Sequence, residues 1–198
     1  MKSGFSSTSL FQLPPWTVRI LRRRQKPIVT ARDRMRFVIQ LARTNITTQS
    51  GGPFGAAVFE TLTGRLIALG VNVVEPTNCS LAHAEMVALA NAHQALGHFD
   101  LGAPGMSQLE LVTSCEPCAM CYGAIIWSGV RKVTCGARGS DATAIGFDEA
   151  PKPKNWVATL KRRGISIVQD LRRNEAIAVF RQYRQAGGGI YNPRQEPG

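Results

Sequence analysis

Two short motifs constrain this chain more than any other feature of its sequence: His83-Ala84-Glu85 and, further along, Pro117-Cys118-Ala119-Met120-Cys121. Each stands at the head of an apolar run, residues 81–96 and 118–127, and the runs are closed by Gly97 and by Ser128-Gly129. Both therefore read as the first turns of buried helices. Cys118 and Cys121 fall one turn apart, so both sulfurs reach a single ion. The free N–H groups at a helix start favour thiolates, and Pro117 costs nothing where no N–H is needed. His83 adds a neutral imidazole from its own helix start. Two thiolates and one imidazole hold a tetrahedral zinc, one per chain, with one position open, which is the coordination number of a catalytic site. Glu85 leans toward the same ion, where a carboxylate can move protons to and from water. The rival reading is structural: Cys115, Cys118 and Cys121 form a ladder that could close a Cys3His site with His83. Against it, Cys115 ends a strand while Cys118 begins a helix, and a structural site has no use for Glu85. Cys79, Cys115 and Cys135 read as packing residues, and His93 and His98 as surface or helix-end residues.

The periodicity around the motifs predicts an α/β fold, a three-layer α/β/α sandwich with a mixed central sheet. Residues 1–30 read as a basic N-terminal extension: Ser-rich, then Pro14-Pro15, an arginine run and Pro27. A helix starts at Thr30, with Asp33 three residues on as in a capping box. Runs 54–59 and 66–74, separated at Gly64, predict a hairpin. Strands follow at 109–113, 130–136 and 165–168, and helices at 156–163 and from 171 to about 183, with a loop at 142–153. Residues 31–185 form the domain in this reading. Gly187-Gly188-Gly189 then hinges a tail, 186–198, which either covers the site or frays.

Hydrophobic residues make up 44% of the 198, which excludes wholesale disorder, and no run approaches the ~20 apolar residues of a membrane span. With no apolar leader and an odd count of five cysteines, the expectation is a cytoplasmic protein whose cysteines serve chemistry, not disulfides. The net charge of +11 raises nucleic acid as a partner. The positive residues gather before residue 44 and after residue 160, with no aromatic residues interleaved to stack bases, so solvated helix faces explain them more simply.

The pattern H-x-E…P-C-x-x-C is that of the zinc deaminases, and residues 52–149 resemble the cytidine deaminase-like superfamily and, within it, the bacterial guanine deaminases. The resemblance rests on Gly52-Pro53-Phe54-Gly55-Ala56, Asn72, His83-Ala84-Glu85, residues 113–121 (Thr-Ser-Cys-Glu-Pro-Cys-Ala-Met-Cys), Gly123-Ala124-Ile125, Trp127 and Gly146-Phe147-Asp148-Glu149. The zinc motifs specify only the superfamily; the Phe-Asp-Glu segment points to guanine. The resemblance implies hydrolytic deamination of guanine to xanthine and ammonia by a homodimer, with His83, Cys118 and Cys121 as ligands and Glu85 as proton shuttle. It implies Glu149 as a second acidic residue, where many relatives carry Asp, and Asn72 as the amide that meets the base edge. Phe54 and Trp127 become apolar walls, and Asp148 and Tyr191 further substrate contacts, the latter from a tail that covers the site in this family, often across a dimer. For Phe54 and Trp127 ordinary core packing is the alternative. A tRNA adenosine deaminase shares the zinc motif and would use the positive charge; an amino-triazine is another substrate of the right kind.

Overall fold

The computed structural model describes residues 11–23 and 26–193. Strands β1 (Gly55–Glu60) and β2 (Leu66–Val71) pair antiparallel around a turn at Gly64, whose φ of +75° favours glycine. A Cβ there would lie 2.3 Å from the Ile28 carbonyl oxygen, so the turn also requires glycine for space. β1 pairs antiparallel with β3 (Leu109–Cys115); β3, β4 (Lys132–Ala137) and β5 (Ser166–Val168) run parallel, giving the order β2-β1-β3-β4-β5. The sheet is thus mixed and five-stranded, as the alternation of hairpin and crossovers requires.

Alternate residues feed two cores because side chains on a strand point to opposite faces. Ala57, Phe59, Leu69, Val71 and Val112 pack under α2 (Ala31–Thr47) and α8 (Arg173–Gln185). Ala56, Val58, Ala68, Leu111, Val133 and Cys135 pack under α4 (Ala84–Leu96), α5 (Ala119–Ser128) and α7 (Trp156–Arg162). The result is the expected three-layer sandwich. Thr30 caps α2 as read from the sequence: its Oγ1 accepts from the Asp33 amide at 3.1 Å and donates to Asp33 Oδ2 at 2.7 Å.

Three short helices escaped the periodicity. α1 (Pro15–Arg23) begins on proline and buries Trp16, whose Nε1 donates to Ser50 Oγ at 3.3 Å. The described part of residues 1–30 is therefore packed on the α2/α8 layer, with Ile28 also buried; residues 1–10 lie outside the described residues. α3 (Val74–Thr77) and α6 (Gly139–Thr143) are too short to show a 3.6-residue repeat. α6 falls where the sequence suggested the start of a loop, and it is held by Asp141, which accepts from the Arg138 amide and from both Nε and Nη2 of Arg173.

The central strand carries one charge inside the core. Glu110 is fully buried, accepting from Arg34 Nη1 at 2.6 Å, Thr134 Oγ1 at 2.6 Å and Lys132 Nζ at 3.1 Å. Arg34 also donates to the carbonyls of Ile28, Val29 and Thr61. Among the described residues no helix is long and apolar enough to cross a membrane.

Candidate active site

The strand directions place the site. The ends of β2, β3 and β4 and the start of β1 share one edge of the sheet, and the segments leaving that edge open α4 and α5. His83 is the residue before α4 and Cys118 the residue before α5, both in extended conformation, so both side chains turn back toward the same gap. α4 lies so close to β2 that a Cβ on Gly70 would sit 2.2 Å from the Ala84 carbonyl oxygen.

In that gap, His83 Nδ1 is 3.5 Å from Cys118 Sγ and 3.7 Å from Cys121 Sγ, and all three donor atoms lie within 4.8 Å of one another. Tetrahedral zinc with Zn–S of about 2.3 Å and Zn–N of about 2.05 Å demands an N···S separation of about 3.6 Å. The donor set fits the ion in both chemistry and spacing. Cys115 is not part of it: its Sγ points to the Arg138 carbonyl at 3.4 Å, and burial pushes its thiol well above the usual range. The Cys118 thiol is pulled down to about 4, chiefly by a hydrogen bond with Cys121 and then by His83, which makes it ready to bind a cation. Cys118→Ser is accordingly expected to abolish zinc retention, read by metal analysis of the purified protein, while Cys115→Ser keeps it. The reverse pattern would demand another ligand set.

Glu85 stands beside the donors without joining them. It is 6% exposed; its Oε1 accepts from Thr113 Oγ1 at 3.1 Å and its Oε2 lies 3.5 Å from Cys121 Sγ. Burial, followed by the neighbouring Cys118, raises its proton affinity. Glu149 reaches the same cavity from the opposite loop. Its Oε2 is buried with no hydrogen-bond partner, and burial, then Cys118 and Glu85, push its carboxyl up to about 8. Two carboxyls of raised proton affinity in one pocket are suited to moving protons.

The cavity has a volume of about 250 Å³ and is lined by His83, Glu85, Cys118 and Glu149 together with an aromatic wall. Phe54 meets Phe147 edge to face at 5.0 Å between centroids, and Phe147 meets Tyr191 in the same way at 5.0 Å. Asn72 lines the cavity from the end of β2, buried, with its Oδ1 accepting from the Val74 amide at 3.3 Å. Asp148 is at the exposed rim, where its Oδ1 accepts from the Ala150 amide. Tyr191, Asn192 and Pro193 also line the cavity. Asn192 fastens them, donating to the Gly146 carbonyl at 2.8 Å and accepting from the Asp148 amide at 2.9 Å.

Trp127 departs from its expected place. It is 86% exposed and no part of the cavity lining, so within this chain it walls nothing. Cys121, Ile125 and Ser128 mark the buried face of α5, and a residue six positions after Cys121 falls on the far side of the helix. Its place is taken by Phe147, part of the recognised Phe-Asp-Glu segment but not singled out as a wall. Met120, Ser80 and Glu116 also line the cavity and were not foreseen. The closeness of Met120 to the cysteines and of Glu116 to Pro117 points to those two, and nothing local marks Ser80.

Residues 29–137 match the cytidine and deoxycytidylate deaminase zinc-binding region. The chain is 38% identical over 150 residues to the guanine deaminase of Bacillus subtilis, covering 76% of this chain and 91% of that one. It is 46% identical to the solved guanine deaminase from Nitrosomonas europaea, with a TM-score of 0.86 over 91% of this chain and 98% of that one. A structure solved in complex with 2,6-diaminopurine is 47% identical, with a TM-score of 0.87 and coverage of 95% and 98%. This chain belongs to the cytidine and deoxycytidylate deaminase zinc-binding family and is a hydrolytic deaminase.

Proposed function

We propose that the substrate is guanine, hydrolysed to xanthine and ammonia. The observation that carries this is a small cavity in which the His83–Cys118–Cys121 donor set meets the buried Glu85 and the carboxyl of Glu149, whose Oε2 is buried without a partner. His83, Cys118 and Cys121 would hold a zinc ion, which would supply Lewis-acid activation of water. Glu85 takes one proton of the attacking water and returns it to the ring nitrogen, and the water's second proton goes to the departing amine as the new hydroxyl becomes the carbonyl. Glu149 accepts from the N–H edge of the base and passes on a second proton. Asn72, its carboxamide oriented by the Val74 amide, presents its remaining polar atoms to the other edge. Phe54, Phe147 and Tyr191 surround the ring plane, where aromatic faces and edges hold a flat heterocycle.

The size of the cavity and the tail residues in its lining favour a free base over an adenosine tethered in a tRNA, because a polynucleotide needs an open approach. The outer face of α5, with no charged residue, open space beside Gly123 and an exposed Trp127, suits a second copy of the chain, so we place the enzyme as a homodimer. Sedimentation at a single-chain mass would refute that.

The test is ammonia release from guanine by the zinc-loaded protein; no release would overturn the assignment. Glu149→Gln should lower the rate by about two orders of magnitude while leaving the melting temperature within a few degrees. Unchanged kinetics in that variant would remove Glu149, and with it the guanine-specific reading.

A further inference from the structure

Lys152 has no part in the chemistry above, yet it joins the two segments that must stay in register. It lies on the loop just after Glu149, with its side chain 15% exposed. Its Nζ donates to the Pro117 carbonyl at 2.7 Å, immediately before Cys118, and sits 4.8 Å from the centre of the Trp156 ring. Glu116 Oε2 is 4.0 Å away but already accepts from the Gly139 amide, while Glu116 Oε1 accepts from Gln169. The Pro117 carbonyl is therefore the near partner. A second tie runs beside this one: the Ala119 amide donates to the Glu149 carbonyl at 3.0 Å. Cys118 is thus flanked on both sides by bonds to the loop that carries Glu149. The glutamate side chain and the ammonium also converge in space, since a Cβ placed on Gly139 would be 3.4 Å from Glu149 Oε2 and 3.7 Å from Lys152 Nζ.

We propose that Lys152 is a positioning residue of this site, holding residues 148–152 against the start of α5 so that the Glu149 carboxyl enters the cavity at one fixed place. The cation also opposes the burial that raises the proton affinity of Glu149. The proposal rests on the role given to Glu149 above. Loop geometry of this kind matters because a misplacement of about 1 Å can cost about a hundredfold in rate.

The test compares Lys152→Met and Lys152→Arg with Lys154→Met, an exposed neighbour, in the zinc-loaded full chain. Lys152→Met should lower kcat for guanine by about tenfold to a hundredfold with KM moved less than about threefold, zinc content staying at the wild-type level. Arginine should recover most of the rate, because a guanidinium can reach the same carbonyl and stack on Trp156. Hydrogen exchange supplies a readout independent of turnover. The Ala119 amide, at the first position of α5, has no partner within its helix, so loss of the loop should speed its exchange about tenfold or more in Lys152→Met alone. Wild-type kcat in Lys152→Met, zinc lost along with the rate, or unchanged exchange at Ala119 would each overturn the proposal. A wild-type protein inactive on guanine would instead sink the functional reading, and exchange at Ala119 would still decide whether Lys152 holds the loop.

Discussion

Glu85→Ala should keep its zinc and lose turnover by about a thousandfold or more, a loss near 4 kcal/mol of transition-state stabilisation. The separation of the two effects follows from the geometry. Glu85 supplies none of the three donor atoms, which come from His83, Cys118 and Cys121, so removing its carboxylate leaves the coordination set whole. What disappears is the carboxylate beside Cys121 that Thr113 orients, 3.1 Å from Oε1. Stability should hold or rise, because a carboxyl whose proton affinity is raised by burial is a cost to the fold. Metal analysis, steady-state kinetics and thermal unfolding on one preparation check all three. Activity within tenfold of wild type would remove Glu85 from the mechanism, and loss of zinc would make it a ligand or a support for one.

Arg34→Met should be the most destabilising single change outside the site, at about 3–5 kcal/mol, because it leaves Glu110 buried without its closest cation. The carbonyls of Ile28, Val29 and Thr61 lose their donor in the same step, although Lys132 at 3.1 Å retains part of the compensation. For a chain of this length that corresponds to a fall of about 10 °C or more in melting temperature. Replacing both partners, Arg34→Met with Glu110→Leu, should recover much of the loss, since an apolar pair leaves no buried charge. A single variant that melts with the wild type would show that Lys132 and Thr134 satisfy Glu110 unaided.

The elements that could be read from sequence are those long enough to show a period or marked by a terminating residue. α2 with its Thr30 cap, the hairpin around Gly64, and α4 closed by Gly97 all came from local chemistry. α4 begins at Ala84 and not at 81, since Leu81 is in a turn and His83 is extended, which lets His83 turn into the gap. α1 was read as part of an extension because its arginines mask the burial of Trp16, which depends on Ser50 and on a core the local pattern does not contain.

The ligand set was legible for a simple reason. Zinc demands a fixed number of soft donors, and each half of this set is marked within one helix start, His83 beside Glu85 and Cys118 three residues before Cys121, although the halves themselves stand 35 residues apart. Glu85 shares that locality. The walls of the cavity do not: Phe54, Phe147 and Tyr191 come from three distant segments and meet only because the sheet edge, the loop after α6 and the tail converge. Trp127 and Lys152 show the same division from either side. Motif resemblance put Trp127 in the pocket, and the 100° rotation per residue of α5 turns it outward. Nothing near Lys152 in the chain marks it, because its partner, the Pro117 carbonyl, lies 35 residues away. The sequence by itself picked out the candidate donors and their neighbouring carboxylate, each half of the set within one helix start, and the order of the elements; tertiary structure decided how the halves meet and the cavity's shape, which depend on contacts between segments that only the folded sheet brings together.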